Sequence, residues 1–126
     1  MAKGGMLMVT RHGDLGVVSI QQKQFLNDEV INRFAEEAMD LIESQGYAKL
    51  VLDFANVEYL SSKMLGKLMA LYKRVQAEKG GLALCNVRKD LREVFEVTQL
   101  DTVLNLHADQ GKAIKSLEQK KRGWFR

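Results

Sequence analysis

Polar and apolar positions change their spacing several times along the chain, and each change marks a new element. The runs "MLMVTRHG" and "GVVSIQQ" are short and β-branched around a His-Gly-Asp turn, which predicts a β-hairpin. From Asn27 the spacing turns helical. Ile31, Phe34, Ala35, Ala38, Met39 and Ile42 recur at three- and four-residue steps on one face. Asn27 or Asp28 can cap that helix, and Gly46 stops it. The next run, "AKLVLDFA", is apolar almost without alternation. A strand of that kind is buried on both faces, so helices must lie above and below its sheet.

A second helix begins at Ser61, with Leu65, Leu68, Met69, Tyr72 and Val75 as its stripe and Gly80-Gly81 as its end. "LALCNV" reads as another buried strand, and "RKDLREVFEV" as a short helix showing Leu91, Val94 and Phe95. "TVLNLHA" follows as a final strand and "DQGKAIKSLEQKK" as a last helix. The order ββαβαβαβα predicts an α/β fold. Its central sheet is mostly parallel, with an antiparallel hairpin at the N-terminal edge and about four flanking helices.

Composition narrows the function classes. The 126 residues contain no proline, repeat or low-complexity tract, so a single domain over 1–126 is expected. Hydrophobic residues make up 46% and charged ones 28%, the balance of a globular rather than a disordered chain. No apolar run approaches the roughly 20 residues of a membrane helix, and "MAKGGMLMVT" is too short and glycine-rich for a secretory signal. One cysteine, Cys85, rules out an internal disulfide and fits a reducing, cytoplasmic setting. Set in an apolar strand, it reads as a small core residue. His12, His107 and Cys85 form no metal-ligand spacing, so neither metal nor cofactor is expected. Net charge is +3, but "QKKRGWFR" holds four basic residues and no acid, leaving the rest close to neutral. This tail, about 119–126, reads as a frayed, solubilising terminus. Contact of Trp124 and Phe125 with nucleic acid or an anionic membrane is the alternative.

Catalytic signatures are missing. Neither GxxxxGK[ST] nor GxGxxG follows a strand, Ser62 in "LSSKM" lacks the glycines of a nucleophile elbow, and neither histidine neighbours a serine. No catalytic residue is assigned, and no enzyme is expected. What remains is "VEYLSSKMLGKL", a serine pair where a buried strand hands over to a helix. In open α/β sheets that rim commonly holds ligands and partners. Ser61 is placed as the N-cap, its oxygen accepting an N–H of the first turn. Ser62 is then the first helical residue, its hydroxyl pointing outward where the helix dipole favours negative charge. A phosphate there would add close to two negative charges without disturbing the core. A redundant cap is the other reading. Tyr59 and Leu60 read equally as exposed docking contacts or as strand-end core.

The stretch from Lys49 to Leu117 resembles a STAS domain, the fold of bacterial anti-sigma factor antagonists. The matching pieces are "LVLDFANVEYL", the serine pair, "LGKLMALYKRV", the Gly-Gly turn, "LALCNV" and "REVFEVTQL". The family shows an aspartate, the phosphorylated serine, then serine or threonine and Gly-Leu-Gly. Aligned through Leu65 and Gly66, the phosphoacceptor falls on Ser62, with Ser61 as its rival. The resemblance implies partner switching. The unmodified antagonist binds an anti-sigma factor, often a serine kinase of the histidine-kinase-like ATPase fold, and so frees a sigma factor. Phosphorylation breaks the complex and a serine phosphatase resets it. Asn27, Tyr59, Leu60, Ser61, Lys63 and Met64 are the partner-binding positions this register implies. No direct nucleic-acid contact is expected.

Several positions depart from the pattern. Ser61 and Asn27 stand where the family has aspartates, Lys63 and Met64 replace small residues, and Gln99 replaces a glycine in "VTQL". The local field becomes less negative, which bears on which kinase can read the site. Two alternatives remain open: a STAS scaffold or transporter-associated subunit without a phospho-switch, and a domain binding a small anionic ligand or nucleotide.

Overall fold

The computed structural model describes residues 5–123, with side chains described as far as Glu118. In chain order it contains β1 (Leu7–His12), β2 (Leu15–Ile20), a short β3 (Gln24–Phe25) and α1 (Asp28–Glu43). Next come β4 (Lys49–Asp53), a short β5 (Tyr59–Leu60) and α2 (Ser62–Ala77). The second half holds β6 (Gly81–Cys85), α3 (Lys89–Val97), a 3₁₀ turn at Leu100–Thr102, β7 (Asn105–His107) and α4 (Gln110–Gly123).

Five strands form the main sheet in the order β1-β2-β4-β6-β7. The hairpin β1–β2 is antiparallel, turning through Gly13 at φ 65°, and the other pairings are parallel. This is the α/β arrangement that the element order predicts.

Side chains alternate across the strands. Val18, Ile20, Leu50, Leu52, Leu82 and Leu84 join Phe34, Leu68 and Phe95 in the larger core, beneath α1, α2 and α3. Leu15, Val17, Val51, Ala83 and Cys85 face the other way and pack on Ala113 and Leu117 of α4. The unbroken apolar runs of β4 and β6 are thereby explained: each strand is covered twice.

The Gly80-Gly81 pair does more than end α2. A Cβ at Gly80 would lie 1.7 Å from the Ala48 carbonyl oxygen, so only glycine lets the chain pass. Beside it, the Gly81 amide donates to that same oxygen at 3.1 Å.

Several details differ from the sequence reading. The last strand starts at Asn105, because the preceding residues wind into the 3₁₀ turn. Val94 is 38% exposed and does not join Leu91 and Phe95 in the core. On α2, Met64 and Leu71 are buried while Met69 and Tyr72 are only partly so. The tail beginning at residue 119 lies outside the residues whose side chains are described. Among the described residues no helix is long and apolar enough to cross a membrane.

Candidate functional site

The serine pair sits where two helix entrances meet. β3 and β5, two residues each and not foreseen from the sequence, run parallel and match Gln24 with Tyr59 and Phe25 with Leu60. Around them the Glu58 amide donates to the Lys23 carbonyl at 2.7 Å, and the Ser61 amide to the Phe25 carbonyl at 3.0 Å. Since β3 leads into α1 and β5 into α2, this ladder fixes the two helix N-termini side by side.

The two helices are capped differently. Asn27 is extended at φ −103° and its side-chain oxygen accepts the Val30 amide at 3.0 Å, a side-chain N-cap. Ser61 occupies the equivalent place before α2, but its hydroxyl makes no capping bond. Its main-chain oxygen takes the Met64 amide at 3.0 Å and the Leu65 amide at 3.3 Å instead. That corrects the expected role of the Ser61 oxygen. Ser61 Oγ is buried and has no hydrogen-bond partner.

Ser62 is the first residue of α2 and is exposed. The first turn contains no acidic residue, and Lys63 lies within it. The helix dipole favours negative charge at Ser62. Lys63 Nζ also reaches Asp28 Oδ2 at 3.2 Å, an ion pair between exposed side chains that joins the first turns of α1 and α2. Four residues on from Ser62, a Cβ at Gly66 would meet nothing within 4 Å, so the helix face below the hydroxyl is open.

The positions expected to bind a partner divide by burial. Asn27 and Lys63 are at the surface, and Tyr59 is 49% exposed. Leu60 and Met64, at 6% and 0% exposure, belong to the core and have no surface to offer a partner. Leu60 takes the strand-end core reading, and the contact role expected of Met64 is corrected to a supporting one, because β5 alternates and the first turn of α2 rolls Met64 inward. Leu26, 54% exposed just before Asn27, was not singled out from sequence. Its signal was available: an apolar residue directly ahead of a helix cap.

A second feature escaped the sequence reading. Asp53 ends β4 only 7% exposed, the one buried charged residue among those described. Its Oδ1 accepts the Ala55 amide at 2.9 Å and the Asn86 side-chain amide at 3.1 Å, and its Oδ2 accepts from Gln110 at 2.6 Å. The carboxylate thus ties the loop toward the serines to the β6–α3 turn and the start of α4. Nearby, burial and then the Asp53 and Asp109 carboxylates push the Cys85 thiol up to about 12. A thiol so placed stays protonated and unreactive. Among the described residues no group of histidine, cysteine and carboxylate side chains could hold a metal ion.

Comparison with known proteins accords with this geometry. Residues 6–113 match the family described as STAS domain. A Thermotoga neapolitana protein named as a candidate anti-sigma factor antagonist is 26% identical over 102 residues, which is 81% of this chain and 90% of that one. The crystal structure of a Thermotoga maritima protein of the same naming superposes with a TM-score of 0.77 at 24% identity, covering 90% and 95% of the two chains. The Bacillus cell-fate determinant SpoIIAA, solved in its phosphorylated form, gives a TM-score of 0.66 at 14% identity over 87% of this chain and 97% of that one.

Proposed function

Because the chain belongs to the STAS domain family, we propose that it is an anti-sigma factor antagonist that works by partner switching, with Ser62 as the phosphoacceptor. Unmodified, it binds an anti-sigma factor that is itself a serine kinase of the histidine-kinase-like ATPase fold. Transfer of the ATP γ-phosphoryl group forms a bond from phosphorus to Ser62 Oγ and releases ADP, with the hydroxyl proton passing to a base on the kinase. The new dianion carries a desolvation cost into the docked surface and repels acidic groups there, so the complex parts. A serine phosphatase restores the hydroxyl. The chain acts as substrate and binding module, in the cytoplasm with the transcription machinery it regulates.

One observation carries this reading: Ser62 is exposed at the first position of α2, while Ser61 Oγ beside it is buried. A kinase can reach one alcohol and not the other. Leu26 and Tyr59, both about half exposed, give the partner apolar anchors on either side of the ladder.

Incubation with the anti-sigma kinase and ATP, followed by peptide mass spectrometry, should place phosphate on Ser62 and leave Ser61 unmodified. Ser62→Ala should stay bound in the presence of ATP, and Ser62→Glu should bind at least tenfold more weakly while keeping its circular dichroism spectrum. Phosphate on another residue, with Ser62→Ala still released normally, would falsify the assignment.

A further inference from the structure

The two helices that flank the groove on the α1–α2 face carry opposite charges. α1 holds Asp28, Glu29, Glu36, Glu37, Asp40 and Glu43 against a single Arg33. α2 holds Lys63, Lys67, Lys73 and Arg74 and no acid. Both helices cross between parallel strands, so they run in the same direction. Ion pairs align them end to end: Lys63 with Asp28 at the N-terminal turns and Arg74 with Glu43, at 2.9 Å, at the C-terminal turns. Between those ends lies a groove of about 430 Å³. Phe34 and Leu71 line its floor, Ala35, Met39 and Ala70 its sides, with Glu36 and Asp40 on one wall and Lys67 on the other.

We propose that this face is a self-association surface that takes a second copy of the same chain. An isologous contact places the same patch on both subunits, related by a two-fold axis lying in the interface. An axis parallel to the helices carries the acidic stripe of one copy onto the basic stripe of the other, and the helices stay parallel. An axis across the helices would set like charges against each other. The charge segregation therefore selects one geometry of the pair. Small side chains along the groove, Ala35 and Ala70 with the open position at Gly66, let the two helix pairs approach closely. Most of the charged groups on this face are at the surface, so the contact is salt-sensitive and its orientation electrostatic.

Charge exchange tests this directly. Sedimentation equilibrium of the full chain at low salt should give a weight-average mass rising from 14.3 kDa toward twice that value as concentration increases, and falling back at about 0.5 M salt. Glu36→Lys sets a cation against the basic stripe of the second copy and Lys67→Glu sets a carboxylate against its acidic stripe, so each variant alone should be monomeric. Mixed in equal amounts, the two should recover the dimer. Both substitutions fall on surface positions of helices, and unchanged circular dichroism spectra would show that the fold is intact. A wild-type chain that stays monomeric at low salt up to several hundred micromolar overturns the proposal. So does a dimer indifferent to both substitutions, or a mixture that fails to recover it. Binding of a different protein to this face with no self-association counts in the same direction.

Discussion

Serine 61 and serine 62 differ by one position and by almost everything that matters chemically. The sequence places Ser61 as the N-cap and Ser62 as the first helical residue, and the structure keeps that order. What separates them is burial: Ser62 is exposed, whereas Ser61 Oγ is buried without a hydrogen-bond partner, the Met64 amide going to the Ser61 main-chain oxygen. No spacing rule reveals such a choice between two acceptors on one residue. The same scale yields three expectations. Asn27→Ala should lower stability by about 1 kcal/mol, since the Val30 amide loses its side-chain acceptor, and urea midpoints would show it. Gly66→Ala should raise stability by about 0.8–1 kcal/mol, because the methyl meets no atom and the helix interior gains its best former. Cys85 supplies a pH signature. Its folded pKa is raised, so the protonated thiol supports the native state below the ordinary thiol range, and that support declines as pH rises toward 12. Unfolding followed from pH 8 upward should show a decline that is absent in Cys85→Ala, and thiol reagents should label the native protein only slowly.

Among the elements, long ones were legible and short ones were not. α1 and α2 carry apolar stripes of helical period, β4 and β6 carry unbroken apolar runs of strand length, and all four stand where those patterns put them. β3 and β5 are two residues each, too brief to show any period, and they exist because their partners meet in space. Asp53 belongs to the same class of hidden feature. An aspartate at the end of an apolar strand reads as a boundary, whereas the fold makes it the acceptor for three donors from three segments. Asp53→Ala would leave the Gln110 side-chain amide and the Ala55 N–H without this acceptor, and the Asn86 side-chain amide with only its long contact to Cys85 Sγ. A loss of about 2 kcal/mol is expected, read from denaturant unfolding. Because the Ala55 loop leads toward the serines, the same variant should also speed hydrogen exchange at the amides of residues 57–61. Unchanged exchange there would separate the carboxylate from the site.

At the scale of the molecule, the mostly parallel sheet and its double covering followed from alternation of strands and helices, whereas the strand order β1-β2-β4-β6-β7 is visible only in the fold. Charge did not follow so readily. The overall surplus of +3 looks mild, and assigning it to the tail conceals an acidic helix lying against a basic one. Net charge sums away what the fold keeps apart. Only the placing of α1 beside α2 turns two ordinary helical sequences into a polarised face.

The brace formed by Gln24–Phe25 and Tyr59–Leu60 is made of main-chain groups, and its bonds do not depend on which side chains flank it. Lineages can therefore redraw the outward-facing residues near it, Leu26 and Tyr59 among them, without loosening the scaffold beneath. The surface around the helix entrances becomes cheap to revise, while the bearing of Ser62 stays constant.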